Sequence, residues 1–170
     1  MISQIELKTL LKYDEDTGVF FWICKSPTRA KFVGTIAGSV GSKGYINIEI
    51  ANRTYKAHRL AWLYVHGEHP KQQIDHINHI THDNRLSNLR ECSNDENQKN
   101  RPMYQTNKTG FTGVHKTKSG KYKAIIRVSG KLISLGTFSD IHHAANARSE
   151  ADTKYGFHKN SGKLKMVSEV

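Results

Sequence analysis

Residues 74–100, IDHINHITHDNRLSNLRECSNDENQKN, restrict what this chain can fold into more than any other stretch. They hold three Asp, three His and six Asn, broken by Ile77, Ile80, Leu86 and Leu89. The mixture is too polar for a core and too regular for a linker. Carboxylate, imidazole and amide oxygen are the groups that hold a hard divalent cation and move protons beside it.

The spacing narrows the reading. Asp75-His76 closes a short apolar run, Asn88 follows His76 by twelve residues, and Asn97 follows Asn88 by nine. A hairpin followed by a helix brings Asp75, His76 and Asn97 to one place, with Asn88 tying the two arms of the hairpin. This pattern resembles the HNH nuclease family in its H-N-N variant. The flanking segments AHRLAW at 57–62, DHIN at 75–78 and NRLSNLR at 84–90 resemble phage-encoded HNH homing endonucleases, as does the opening LKYDEDTGVFFW at 11–22.

The resemblance implies a DNA endonuclease that hydrolyses phosphodiester bonds. His76 is the expected general base, because an imidazole with an ordinary pKa near 6.5 is largely neutral at pH 7 and accepts a proton from water. Asp75 and Asn97 are the expected ligands of one divalent ion, Mg²⁺ or Mn²⁺, which keeps room for water and phosphate oxygens. Asn97 stands where a His is more usual, which weakens any expectation of tight zinc binding. Asn88 completes the catalytic set by fixing the loop that carries His76, and Asn84 offers the same bond at another register. His58 is either a phosphate or metal-site contact or a capping and packing residue. Arg85, Arg90 and Lys99 are phosphate clamps or ordinary surface charges, while His79 and His82 face solvent or DNA on the hairpin loop.

Charge points to the same partner. The 170 residues carry a net charge of +11 with a pI near 9.7. Residues 1–100 hold 13 basic and 11 acidic groups, whereas residues 101–170 hold 13 and 4. A half so basic suits a polyanion, and double-stranded DNA is the partner expected here. No protein partner is implied, and a monomer is expected. Cys24 and Cys92 form no C-x-x-C pair, so a thiolate zinc site is not expected. No apolar run approaches the ~18 residues that span a bilayer, and Met1–Leu11 lacks the features of a signal peptide. The expected location is the cytoplasm, that of an infected bacterial host if the gene is phage-borne.

The fold class expected is α+β. Ser3–Lys12 reads as a helix capped by Ser3, Val19–Cys24 as a strand, and Lys25–Lys31 as a basic loop. Short strands over 34–40, 45–50 and 54–58 make a small antiparallel sheet, followed by a helix over 58–66. The ββα metal motif occupies about 72–100, with its helix near Ser93–Asn100, and residues 101–108 read as a linker.

Residues 109–158 read as three strands with turns at Ser119-Gly120 and Ser129-Gly130, then a helix capped by Ser139 with Ile141, Ala144, Ala145, Ala151 and Tyr155 on one face. They resemble the plant ethylene-response-factor (APETALA-type) DNA-binding domain at Gly113-Val114, Gly120-Lys121-Tyr122, Ile126-Arg127, Leu135–Phe138 and Ala144-Ala145. That implies a positive sheet face built from His115, Lys116, Lys118, Lys121, Lys123 and Arg127 and able to enter a major groove. Of the base-reading positions only Arg127 is kept, so the plant sequence preference does not transfer. Residues 159–170 read as a frayed basic tail. The rival reading is a DNA-binding regulator whose HNH fold is catalytically silent. Binding of RNA by the basic half has no RNA-specific motif behind it.

Overall fold

The structure is a computed structural model that describes residues 1–23 and 33–164. Cys24, the loop expected at Lys25–Lys31 and the last six residues of the tail lie outside the described residues. The chain divides into two compact units, the first running to Ser93 and the second starting at Asn94. Each is mixed α and β with small antiparallel sheets, as the sequence predicts.

In the first unit, α1 (Gln4–Leu10) begins at a capping box. The Ser3 hydroxyl accepts from the Glu6 amide while the Glu6 carboxylate accepts from the Ser3 amide. The helix stops two residues before the expected Lys12, because Leu11 already takes extended angles and opens β1 (Leu11–Asp14). β1 pairs with β2 (Val19–Trp22) through a turn ending at Gly18. A second sheet joins β3 (Ser39–Val40), β4 (Ile46–Ile50) and β5 (Arg53–Lys56) in that order. Of the strand expected over 34–40 only Ser39–Val40 joins this sheet, while Gly34, Thr35 and Ala37 bond to Trp22 and Phe20 of β2 around a bridge between Ile36 and Phe21. Helix α2 (Ala57–His66) follows, and Gly67 ends it in the left-handed region.

The apolar faces of these elements meet in one core. Leu7, Leu11, Phe20, Ile48, Leu60 and Leu63 are almost wholly buried there, with Ile74 and Leu89 beside them. Ile74 and Leu89 belong to β6 (Gln73–His76) and β7 (Leu89–Cys92), an antiparallel pair with Asp75 opposite Arg90 and His76 opposite Leu89. Burying such side chains stabilises the unit by about 1.5–3 kcal/mol each. The strands that carry the expected catalytic residues are therefore anchored by their own apolar neighbours.

The second unit opens with α3 (Asn94–Gln98), which the sequence had assigned to the first half. Residues expected to form a linker and a frayed tail instead bond to each other. Met103 N donates to Lys163 O, Gly162 N to Arg101 O, and His158 N to Lys99 O. Strands β8 (Val114–Lys116), β9 (Tyr122–Val128) and β10 (Lys131–Phe138) form a sheet in the order β10-β9-β8. Helix α4 (Ile141–Lys154) packs on it through Ala144 against Val114 and Ala124. Asp140, one residue after the expected Ser139, caps α4 by accepting from the His142 and His143 amides. Among the described residues no helix is long and apolar enough to cross a membrane.

Gly18 shows how tightly the first hairpin meets the segment that follows β6. Its φ is +74°, and a Cβ there would run into the backbone of Asn84 and Arg85. Gly18→Ala is expected to destabilise the first unit by at least about 1–3 kcal/mol, the usual cost of a strained non-glycine backbone. A denaturant titration checks this; an unchanged midpoint would show that the approach is slack.

Candidate active site

The twelve residues between β6 and β7 are polar, so side-chain hydrogen bonds rather than apolar packing must order them. Asn88 supplies the closure. It ends a 3₁₀ turn over Leu86–Asn88; its Oδ1 accepts from Asn78 N at 3.0 Å and its Nδ2 donates to Asp83 O at 2.8 Å. Its own carbonyl accepts from Ile77 N at 2.9 Å. One buried amide thus ties both arms of the loop immediately after His76. Asp83 holds the tip, accepting from Asn78 Nδ2 and from Arg85 through both Nε and Nη2. The loop also turns His79 inward at φ +67°, leaving it only 7% exposed. The expectation that His79 faces solvent or DNA is corrected accordingly.

His76 closes β6 and is 4% exposed. Asn84, the second-ranked asparagine of the sequence reading, is the residue that meets it. Asn84 Nδ2 donates to His82 O, which turns its Oδ1 toward His76 Nε2 at 3.3 Å. The neutral His76 therefore carries its hydrogen on Nε2 and its lone pair on Nδ1. Tyr13, whose hydroxyl donates to Asn84 O at 2.7 Å, fixes this asparagine from β1. Burial pushes the His76 pKa down against the hydrogen bond to Asn84 and the charges of Asp75 and Asp83, all of which raise it. The ring is poised as a neutral base.

Two further rings pack on it. His58, in the first turn of α2, lies 5.0 Å from His76 with the ring planes at 80°, and Tyr45 lies 5.3 Å from His58 and 5.7 Å from His76. His58 is 7% exposed, and its Nδ1 is buried with no hydrogen-bond partner among the described residues. Burial pushes its pKa down to about 3, so it is uncharged at neutral pH. His58 cannot act as a cationic phosphate clamp, one of the two roles open to it from sequence. An orphaned nitrogen of this kind costs about 1–3 kcal/mol.

Asp75 is 9% exposed, and its Oδ2 accepts from Arg90 Nη2 at 2.8 Å and Nε at 3.0 Å. Arg90, expected at a phosphate, is thus the cross-strand partner of the expected metal ligand. Arg85 is likewise forked onto Asp83, and Lys99 lies 3.5 Å from Asp95. Asn97 sits half-buried on α3 in the second unit. Among the described residues no group of three or more His, Cys, Asp or Glu side chains could cage an ion. The Asp75 carboxylate fits an ion that keeps most of its ligands as water and substrate oxygen, the habit of Mg²⁺.

In the second unit the register sorts the expected DNA-facing residues. Cross-strand pairing puts His115 with Lys123 and Thr137, and Arg127 with Leu132, on the sheet face away from Ala124 and Ile126. Lys123, Arg127 and His115 are exposed there. Lys116 pairs with Tyr122 and so falls on the opposite face, a correction to the grouping made from sequence. Lys118 and Lys121 lie exposed at the β8–β9 turn. Sequence periodicity also missed Arg148, which is 8% exposed within the α4 stripe. It donates to Ile125 O and to Asp152, and it comes so near Gly113 that a side chain there would clash.

The buried histidines make acid stability a test of this geometry. The unfolded chain takes up protons on them near pH 6.5, while the fold holds His58 neutral to about pH 3 and His76 below its ordinary value. Stability is therefore intact above about pH 6.5 and falls as pH drops below it, by up to about 1.4 kcal/mol per pH unit per histidine. The carboxylates of Asp14 and Asp83 are held below their usual range, by the Thr17 amide and the Arg85 side chain respectively, and they titrate lower. Melting temperatures from pH 8 to 5 are expected to fall below pH 6.5; a flat profile would mean the rings are solvated.

Residues 55–99, which hold Asp75, His76, Asn88 and Asn97, match the family model described as HNH endonuclease. No curated protein and no solved structure matches the chain. The matched segment is similar to HNH endonucleases and supports a nuclease acting on DNA, a family that generally uses a divalent metal.

Proposed function

We propose that the protein is a metal-dependent DNA endonuclease of the H-N-N kind, a phage-type homing enzyme whose second unit is an APETALA-type DNA-binding domain. The observation that carries this reading is the buried, neutral His76 beside Asp75, inside the segment that matches HNH endonucleases. The lone pair of His76 Nδ1 takes the proton of a water molecule as its oxygen attacks the scissile phosphorus. The bond to the 3′ oxygen then breaks. Asn84 bonds the ring through Nε2, and Asn88 keeps the loop from carrying the ring away. A divalent ion held by Asp75 would neutralise charge on the phosphate and the departing oxygen. Arg90 keeps the Asp75 carboxylate in one orientation for that task.

Incubation with supercoiled plasmid and Mg²⁺ or Mn²⁺ tests the reading directly. Nicked circles are expected from single-strand cutting and linear DNA from cutting of both strands. His76→Ala is expected to lower the rate about 10²–10⁴-fold while DNA binding persists. Asp75→Asn is expected to raise the metal concentration needed. Intact plasmid with either metal would favour the silent DNA-binding regulator instead.

The face of β9 that bears Lys123 and Arg127, with His115 beside them, is the proposed duplex-binding surface. Arg127→Ala is expected to weaken binding of the full chain more than Lys163→Ala, since the Lys163 ammonium bonds Asn160 in the C-terminal segment. Removing a side chain that neutralises one phosphate makes the log–log salt dependence shallower by about 0.9. Equal affinities for the two variants in a salt-titrated binding assay would remove the sheet from the interface.

A further inference from the structure

His58 is an unusual choice for the position it fills. It is buried in the first turn of α2 between Tyr45 and His76, uncharged, and its Nδ1 finds no hydrogen-bond partner among the described residues. A group used for hydrogen bonding or proton transfer inside a protein is normally paired, and the nitrogen is not. What the surroundings do use is the ring. Its plane stands at 80° to that of His76 with centroids 5.0 Å apart, the edge-to-face arrangement that aromatic quadrupoles favour. Tyr45 tilts at 52° to both rings and closes the triangle. Asn84 meets His76 Nε2 at 3.3 Å. Two neighbouring rings confine the plane of the imidazole.

We infer that His58 is a positioning residue that acts as an aromatic wall: together with Tyr45 it fixes the plane of the His76 imidazole, and it exchanges no proton itself. The inference rests on the reading of His76 as the base. It makes the unexpected claim that phenylalanine can replace a buried histidine next to the reacting ring. A base turned out of line by an ångström or so loses about a hundredfold in rate without any loss of substrate binding.

The test compares variants of the full chain that keep the volume but change the shape. His58→Phe is expected to nick plasmid within about threefold of the unaltered protein and to melt higher, because the orphaned nitrogen is gone. His58→Leu is expected to lose about 10- to 100-fold in kcat with KM little changed. Tyr45 is half-buried, so Tyr45→Leu and Tyr45→Phe repeat the comparison where folding is not at risk. The same order is expected, with leucine slow and phenylalanine fast. Unaltered protein that does not cut DNA overturns the nuclease reading itself. Unaltered protein that cuts, alongside a His58→Phe variant as slow as His58→Leu, shows that the nitrogen is needed and overturns the wall. Leucine variants at both positions that cut at the full rate overturn it equally.

Discussion

Two buried asparagine side chains carry the order of the candidate site. The loop between β6 and β7 has too few apolar residues to be held by packing, so its shape depends on Asn84 and Asn88. Asn88 satisfies an amide on one arm and a carbonyl on the other. The Asn84 backbone carbonyl ties the loop to the first hairpin through Tyr13, and its side-chain oxygen meets His76 Nε2. An amide suits both places because it donates and accepts at once, and buried polar groups must have both needs met. A carboxylate could only accept, and a lysine could only donate.

Those bonds matter because of what surrounds them. His76 is buried far enough to lose the water that would stabilise its charge, and the rings of Tyr45 and His58 supply little polarity in return. Burial that keeps an imidazole neutral also makes it a ready acceptor. Asp75, one residue away, is kept in register by Arg90 across the strand pair. The same β6–β7 ladder therefore presents a neutral imidazole and a carboxylate side by side, and Ile74 and Leu89 hold it on the core.

Much of this was legible in the chain. The alternation at β4, the capping box at Ser3 and the glycine after α2 follow from periodicity and turn chemistry, which act over a few residues. The identities of Asp75, His76 and Asn88 were marked by their spacing. The helix boundaries were less so, because Leu11 is claimed by pairing with Trp22 and α4 starts at Asp140 rather than Ser139. The linker expected at 101–108 reads as polar and irregular. Its neighbours are ordered by backbone bonds to residues 158–163, some sixty positions away, and no local pattern records such partners.

The sequence by itself determined the class of the fold, the approximate places of most strands and helices, and the chemical types gathered in residues 74–100. These depend on side-chain type and short-range spacing. Tertiary structure alone decided the roles that depend on who stands opposite. It paired Arg90 with Asp75 and Arg85 with Asp83, and it sent Lys116 to the far face of its sheet. It gave Asn84 the bond to the base and made His58 neutral. Charge pairing and burial are set by neighbours distant in the chain, and only folding brings those neighbours within reach.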